Sequence, residues 1–226
     1  MRISPRKISS FFFRRPSTIV REINSNAALL QWCKHHPTEN SFRDKNRLYE
    51  VINSSVLDSQ PIDYLELGVY KGTSLFKWAQ LNKNKSSRFY GFDSFEGLPE
   101  SWDNVRRTHL QGAFDTNGQP PSTDDQRIQF IKGLFQETLR PFLRDFEIKN
   151  RLVIHYDCDL YSSTLYCLTQ MDPILNPGSV VIFDEFFSSS NEFQAFIDYV
   201  KSYRRDYHVL AAVGRNPFEQ IALEIE

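Results

Sequence analysis

From residue 62 onward, short apolar runs alternate with segments whose apolar residues recur at helical spacing. The runs IDYLEL (62–67), SRFYGFD (87–93), RIQFIKGLF (127–135), RLVIHYD (151–157) and VVIFDEF (180–186) read as strands. TSLFKWAQL (73–81), ETLRPFLRDF (137–146), STLYCLTQMDPIL (163–175) and NEFQAFIDYVKSY (191–203) read as helices between or after them. YHVLAAVG (207–214) and EQIALEI (219–225) predict a closing antiparallel hairpin. Ahead of this series, 26–35 and 41–56 read as helices, the second capped by Ser41. Residues 97–125, rich in Gly, Pro, Asp, Asn and Ser, predict a long loop with a short helix near Trp102. Strands alternating with helices imply an α/β fold, a mostly parallel sheet with helices on both faces.

At 226 residues the chain suits one domain with a real core. Its formal charge of −1 gives no reason to expect a nucleic-acid partner, and no apolar run approaches the ~20 residues of a membrane span. The charge is unevenly placed. Residues 1–21 hold Arg2, Arg6, Lys7, Arg14, Arg15 and Arg21 and no acid, whereas the other 21 basic residues face 28 acids. We therefore expect a basic, flexible extension over 1–25 and a single domain over 26–226. The extension reads either as an arm for a membrane surface or acidic partner, as a targeting segment, or as a loose terminus. Cys33, Cys158 and Cys167 are odd in number and lack metal-site spacing, which fits free thiols in a reducing compartment and a cytoplasmic location.

Two features suggest a nucleoside-bearing cofactor. Glu66-Leu67-Gly68-Val69-Tyr70-Lys71-Gly72-Thr73-Ser74 ends a strand and opens a helix. Gly68 would leave room for a ligand at the turn, and Gly72 would let the helix start close to it. The G-x-x-x-G spacing is not the diphosphate-binding fingerprint, and on its own it also fits an ordinary strand-to-helix turn. Asp93 then ends the next strand, where a carboxylate can accept both ribose hydroxyls or cap the following loop SFEGLP. Glu66 would lie near the other end of the ligand.

Asp157 and Asp159 follow the fourth strand, and Asp184 and Glu185 the fifth. Adjacent strand ends would gather these four acids in one small volume, where unpaired carboxylates raise each other's pKa. A hard divalent cation would resolve that conflict, with Mg²⁺ or Ca²⁺ favoured by oxygen ligands. Such an ion could acidify an acceptor hydroxyl while another carboxylate takes its proton. Asp159 could alternatively cap the next helix. His155, within the strand, is a secondary candidate base or a packed core histidine. Trp102, Phe186 and Phe187 would wall the acceptor pocket or belong to the core.

YLELGVYKGTS (64–74), YGFDSFEGLPESW (90–102), FIKGLFQETL (130–139) and the blocks DCDLYSSTLYCL through NPGSVVIFDE (157–185) carry a resemblance over about residues 60–200. The chain resembles the macrocin O-methyltransferase family of class I S-adenosylmethionine-dependent methyltransferases. The resemblance implies a Rossmann-like fold with a seven-stranded sheet, methyl transfer to a hydroxyl of a sugar or natural-product acceptor, and a homodimer. It also implies S-adenosylmethionine held by Glu66, Gly68, Gly72, Ser74 and Asp93, with Gly133, Leu134 and Phe135 on the adenine side. Mg²⁺ would be held by Asp157, Asp184 and Glu185, with Asp159 as general base. The family usually has Asp-Asp where this chain has Asp184-Glu185.

Two other functions compete. A nicotinamide-dependent oxidoreductase would need the Gly-rich phosphate turn that this chain lacks. A cofactor-binding module without turnover would keep the fold and the nucleoside site but transfer no methyl group.

Overall fold

A computed structural model describes residues 16–104, 107–215 and 217–226, with side chains described from residue 23. The strands are β1 (Ser41–Phe42), β2 (Ile62–Leu67), β3 (Arg88–Asp93), β4 (Trp102–Asp103), β5 (Thr108–His109), β6 (Ile128–Lys132), β7 (Arg151–Tyr156), β8 (Val180–Phe183), β9 (Tyr207–Gly214) and β10 (Phe218–Ile225). The helices are α1 (Pro16–His35), α2 (Lys45–Val51), α3 (Thr73–Leu81), α4 (Phe135–Asp145), α5 (Tyr161–Met171) and α6 (Glu192–Tyr203). Eight strands form the main sheet in the order β1-β9-β10-β8-β7-β2-β3-β6. Strands β6, β3, β2, β7 and β8 are parallel, and β10 runs antiparallel to both β8 and β9. After β1, which lies at the far edge, the chain enters the centre of the sheet at β2, adds β3 and β6 on one side, then crosses to β7 on the other. That reversal opens a crevice at the carboxyl ends of β2 and β7.

Period-2 alternation divides the sheet residues between two cores. Leu65, Leu67, Ile154, Tyr156, Val181 and Phe183 face one layer with α1, α4, α5 and α6. Ile62, Tyr64, Val153, Val180 and Ile182 face the other, against Tyr49 of α2 and Trp78 of α3. By register, Glu66 lies beside His155, and His155 beside Ile182. Both polar residues therefore point into this second layer.

Three local expectations are corrected. Ser41 does not cap a helix: it lies in β1, pairs in parallel with Ala212 of β9, and donates its hydroxyl to Gly214 O at 2.7 Å. The cap is Asp44, whose side chain accepts from the Asn46 N–H, and α2 passes into a π-helical turn over Ile52–Val56. Around Trp102 there is no helix but a two-stranded ribbon, with Trp102 opposite His109. Helix α1 begins at Pro16, ten residues before the expected start. The basic residues Arg2, Arg6, Lys7, Arg14 and Arg15 lie outside the described residues. Cys33, Cys158 and Cys167 are buried free thiols.

Candidate active site

A cavity of about 400 Å³ fills the crevice, a volume within the range of small-molecule sites. The β2–α3 turn contributes Gly68, Val69 and Tyr70, and the end of β3 contributes Asp93. The β6–α4 turn adds Gly133, Leu134, Phe135 and Gln136. Asp157, Cys158 and Asp159 close the far wall with Glu185 and Phe187. The β4–β5 ribbon and its exit cover the cavity with Trp102, Arg107, His109 and Phe114. Trp102 stacks on His109 at 5.1 Å, His109 meets Phe114 at 5.0 Å, and Phe114 meets Tyr70 at 5.5 Å, an aromatic ladder across the mouth. Phe186 belongs to the core beneath, packed on Trp32, whereas Trp102 and Phe187 reach the cavity.

The expected cofactor residues divide into two groups. Gly68, Asp93, Gly133 and Phe135 line the cavity; Glu66, Gly72 and Ser74 lie off its wall. Gly68 has φ +97°, and a Cβ there would sit 1.9 Å from the Asp157 carbonyl oxygen. Its missing side chain makes room for the neighbouring loop. Gly72 similarly accommodates Phe76 and Pro121. Asp93 braces the wall: one oxygen accepts the Val69 and Tyr70 N–H groups at 2.8 and 2.7 Å, and the other accepts the Phe95 N–H at 2.8 Å. The loop-capping role of Asp93 is thus on display, and it still faces the cavity.

Glu66 is fully buried and accepts from the Tyr64 hydroxyl and from Ser74 Oγ. His155, also fully buried, has Nδ1 2.9 Å from the Tyr64 hydroxyl and Nε2 3.4 Å from Asp184 Oδ1. Burial opposes charge on His155, but the flanking carboxylates of Asp184 and Glu66 outweigh it and push the pKa up to about 9. His155 is enclosed in the core layer beneath and is not among the residues lining the cavity.

The four expected acids do converge, with different environments. Burial first, then Glu185 and Asp184, push the Asp159 carboxyl up to about 8. Asp157 is also raised well above the usual range, by burial and then by Asp184 and Asp159. Asp184 goes the other way: burial would raise it, but His155 and Lys45 hold it below the usual carboxylate range. Asp159 does not cap α5, whose cap position is Leu160. It adopts φ +60°, a conformation Asp tolerates better than most residues.

Three participants had no signal in the sequence. Lys45, at the start of α2, places Nζ 2.5 Å from Asp184 Oδ2. Gln220 Nε2 donates to Asp184 Oδ1 at 2.5 Å and to the Tyr49 hydroxyl at 3.0 Å. Glu192, fully buried at the start of α6, accepts the N–H groups of Asp159 and Glu185. This arrangement does not fit the expected Mg²⁺ ligand set. Both Asp184 oxygens already have donors, one of them the Lys45 ammonium. No group of three or more His, Cys, Asp or Glu side chains among the described residues is arranged to hold a metal ion.

Sheet order, crevice and site together define a class I methyltransferase fold. The chain matches the macrocin O-methyltransferase (TylF) family over residues 41–215, and it belongs to that family. It is 29% identical over 181 residues to an 8-demethyl-8-(2,3-dimethoxy-alpha-L-rhamnosyl)-tetracenomycin-C 4'-O-methyltransferase of Streptomyces olivaceus, covering 73% of this chain and 66% of the relative. It is 26% identical over 162 residues to the mycinamicin III 3''-O-methyltransferase of Micromonospora griseorubida, covering 62% and 61%. The chain thus spans less than two thirds of the length of these two relatives. Among solved structures, the calicheamicin methyltransferase CalS11 superposes with TM-score 0.60 at 22% identity, over 93% of each chain. An O-methyltransferase from Bacillus cereus in complex with SAH superposes with TM-score 0.55 at 14% identity, over 97% of this chain and 95% of the other. No helix among the described residues is long and apolar enough to cross a membrane.

Proposed function

We propose that this protein methylates a hydroxyl of a sugar or sugar-bearing natural product, using S-adenosylmethionine. One observation carries the reading: Asp93, Gly133 and Phe135 on one side of a single cavity face Asp157 and Asp159 on the other. A nucleoside cofactor laid from the Gly133–Phe135 turn across Asp93 would bring its sulfur end to the acids. The bound cofactor supplies an electrophilic sulfonium methyl and leaves as S-adenosylhomocysteine.

The chain's own residues would do the rest. Asp93 accepts ribose hydroxyls with the capacity its three backbone bonds leave over. The hydrophobic ladder of Tyr70, Phe114, His109 and Trp102 excludes water and offers faces on which a sugar ring can lie. Asp159 accepts the proton of the attacking hydroxyl, and a carboxyl with pKa near 8 is well matched to that task near neutral pH. Asp157 and Glu185 set the field around it. The relative named for a rhamnosyl-tetracenomycin favours a glycosidic acceptor.

The test is calorimetric titration with S-adenosylhomocysteine, followed by mass spectrometry of rhamnosides and related glycosides incubated with methyl-labelled cofactor. Cofactor binding together with a labelled hydroxyl product is the expected result. A protein that binds neither S-adenosylmethionine nor S-adenosylhomocysteine would end this reading.

A further inference from the structure

The acid cluster contains its own cation. Lys45 is the first residue of α2, where the positive end of the helix dipole disfavours a cationic side chain. The segment before it is fixed to the sheet edge: β1 pairs with β9, Ser41 donates to Gly214 O, and Asn40 Nδ2 donates to Leu210 O at 3.1 Å. From that anchored position Nζ reaches Asp184 at 2.5 Å. On the opposite side of the same carboxylate, His155 Nε2 stands 3.4 Å away and Gln220 donates to the same oxygen. Asp184 is 8% exposed, so its charge depends on these partners rather than on water.

We propose that Lys45 is the resident counterion of the carboxylate cluster, and that its ammonium stands in this protein where the family pattern implies a divalent metal. Lys45 is a positioning residue. It neutralises Asp184 and leaves Asp159, on the cavity wall, to meet the acceptor. A divalent ion bound at Asp184 would have to displace the lysine, so ion and ammonium are mutually exclusive occupants.

The inference builds on the methyltransferase reading, but its test needs no acceptor. Mn²⁺ binding to the full chain, loaded with S-adenosylhomocysteine, is followed by the loss of the free-ion electron paramagnetic resonance signal, with Mg²⁺ as competitor. Wild type and Lys45→Arg should show no saturable binding. Lys45→Met, which keeps the stem and loses the charge, should bind Mn²⁺ saturably, on the order of 10-fold more tightly than the detection limit set by wild type, in a Mg²⁺-competitive manner. A wild-type protein that takes up one Mn²⁺ per chain overturns the proposal. So does a folded Lys45→Met protein no better at binding than wild type, because the lysine is then not what excludes the ion. Failure to bind S-adenosylhomocysteine would instead count against the methyltransferase reading, and the Mn²⁺ comparison on the unloaded chain would still report on Lys45.

Discussion

Glu192 accepts the backbone N–H of Glu185 at 2.9 Å with one carboxyl oxygen, while its other oxygen takes the N–H of Asp159 at 3.3 Å. One buried side chain from α6 therefore fixes both loops that carry the cavity acids. Glutamine offers one acceptor oxygen where glutamate offers two, and alanine offers none. Leaving a buried N–H without a partner costs about 1–3 kcal/mol. Glu192→Gln should lose roughly one such increment and Glu192→Ala roughly two, read as shifts in denaturant midpoint at constant slope. Equal stability of all three proteins would show that the loops are held by something else.

Asp159 gives a prediction with a pH signature. Its carboxyl must be ionised to take the acceptor proton, and burial with the neighbouring acids pushes its pKa up to about 8. Turnover should therefore rise with pH through that region and level off above it. Asp159→Asn keeps a residue type that tolerates the left-handed backbone at this position and removes the base. We expect kcat to fall by about 10²–10⁴-fold, with S-adenosylhomocysteine affinity within about threefold of wild type. Unchanged turnover in Asp159→Asn would reassign the base.

The strands and most helices could be read from apolar periodicity alone, because each element buries residues at its own spacing. TSLFKWAQL, for example, coincides with α3 end to end. What escaped depended on distant partners. Ser41 has the chemistry of a cap, yet its hydroxyl bonds to Gly214 O and its strand pairs with β9, about 170 positions further on. The four acids were visible as strand-end residues. Lys45 was not, since a single lysine before an amphipathic run looks like any solvated charge. The layer that Glu66 and His155 enter was hidden for a different reason. IDYLEL and RLVIHY are buried on both faces, so the apolar run does not reveal that both residues point toward Tyr49 and Trp78, away from the cavity.

Away from the cavity, Asp63 makes a strong stability prediction. Fully buried at the start of β2, it accepts Arg88 Nε and Nη2 at 2.8 and 2.6 Å, the N–H groups of Lys149 and Asn150, and Asn150 Nδ2. Burial raises its pKa, but Arg88 and the other donors outweigh this and lower it overall. The sign follows: the ionised form stabilises the fold above the ordinary aspartate pKa, and that contribution is lost as pH falls through the depressed folded value. Asp63→Ala should cost about 3–5 kcal/mol near neutral pH, because it removes the acceptor shared by Arg88, the Lys149 and Asn150 N–H groups and Asn150 Nδ2. Below about pH 3 the difference from wild type should shrink, as measured by urea denaturation at each pH.

Gly68 tests how the crevice is built. At φ +97°, with a Cβ destined to fall 1.9 Å from the Asp157 carbonyl, the position demands glycine for two independent reasons. Alanine would have to push the β2–α3 turn away from the loop that carries Asp157 and Asp159. The turn also supplies the Val69 and Tyr70 N–H groups that bind Asp93, so the displacement would be felt on the cofactor side as well. Gly72→Ala makes the comparison: its φ of +76° strains alanine too, but its Cβ would meet the Phe76 and Pro121 side chains, at 2.9 and 3.2 Å, and not a backbone carbonyl. We expect Gly68→Ala to lose about 2–4 kcal/mol of stability and most of its S-adenosylhomocysteine binding. Gly72→Ala should lose stability to a smaller extent and retain binding. Calorimetric titration of both variants distinguishes the two glycines: full affinity in Gly68→Ala would mean that the contact with Asp157 does not shape the site, and strong loss in Gly72→Ala would return that glycine to the cofactor wall.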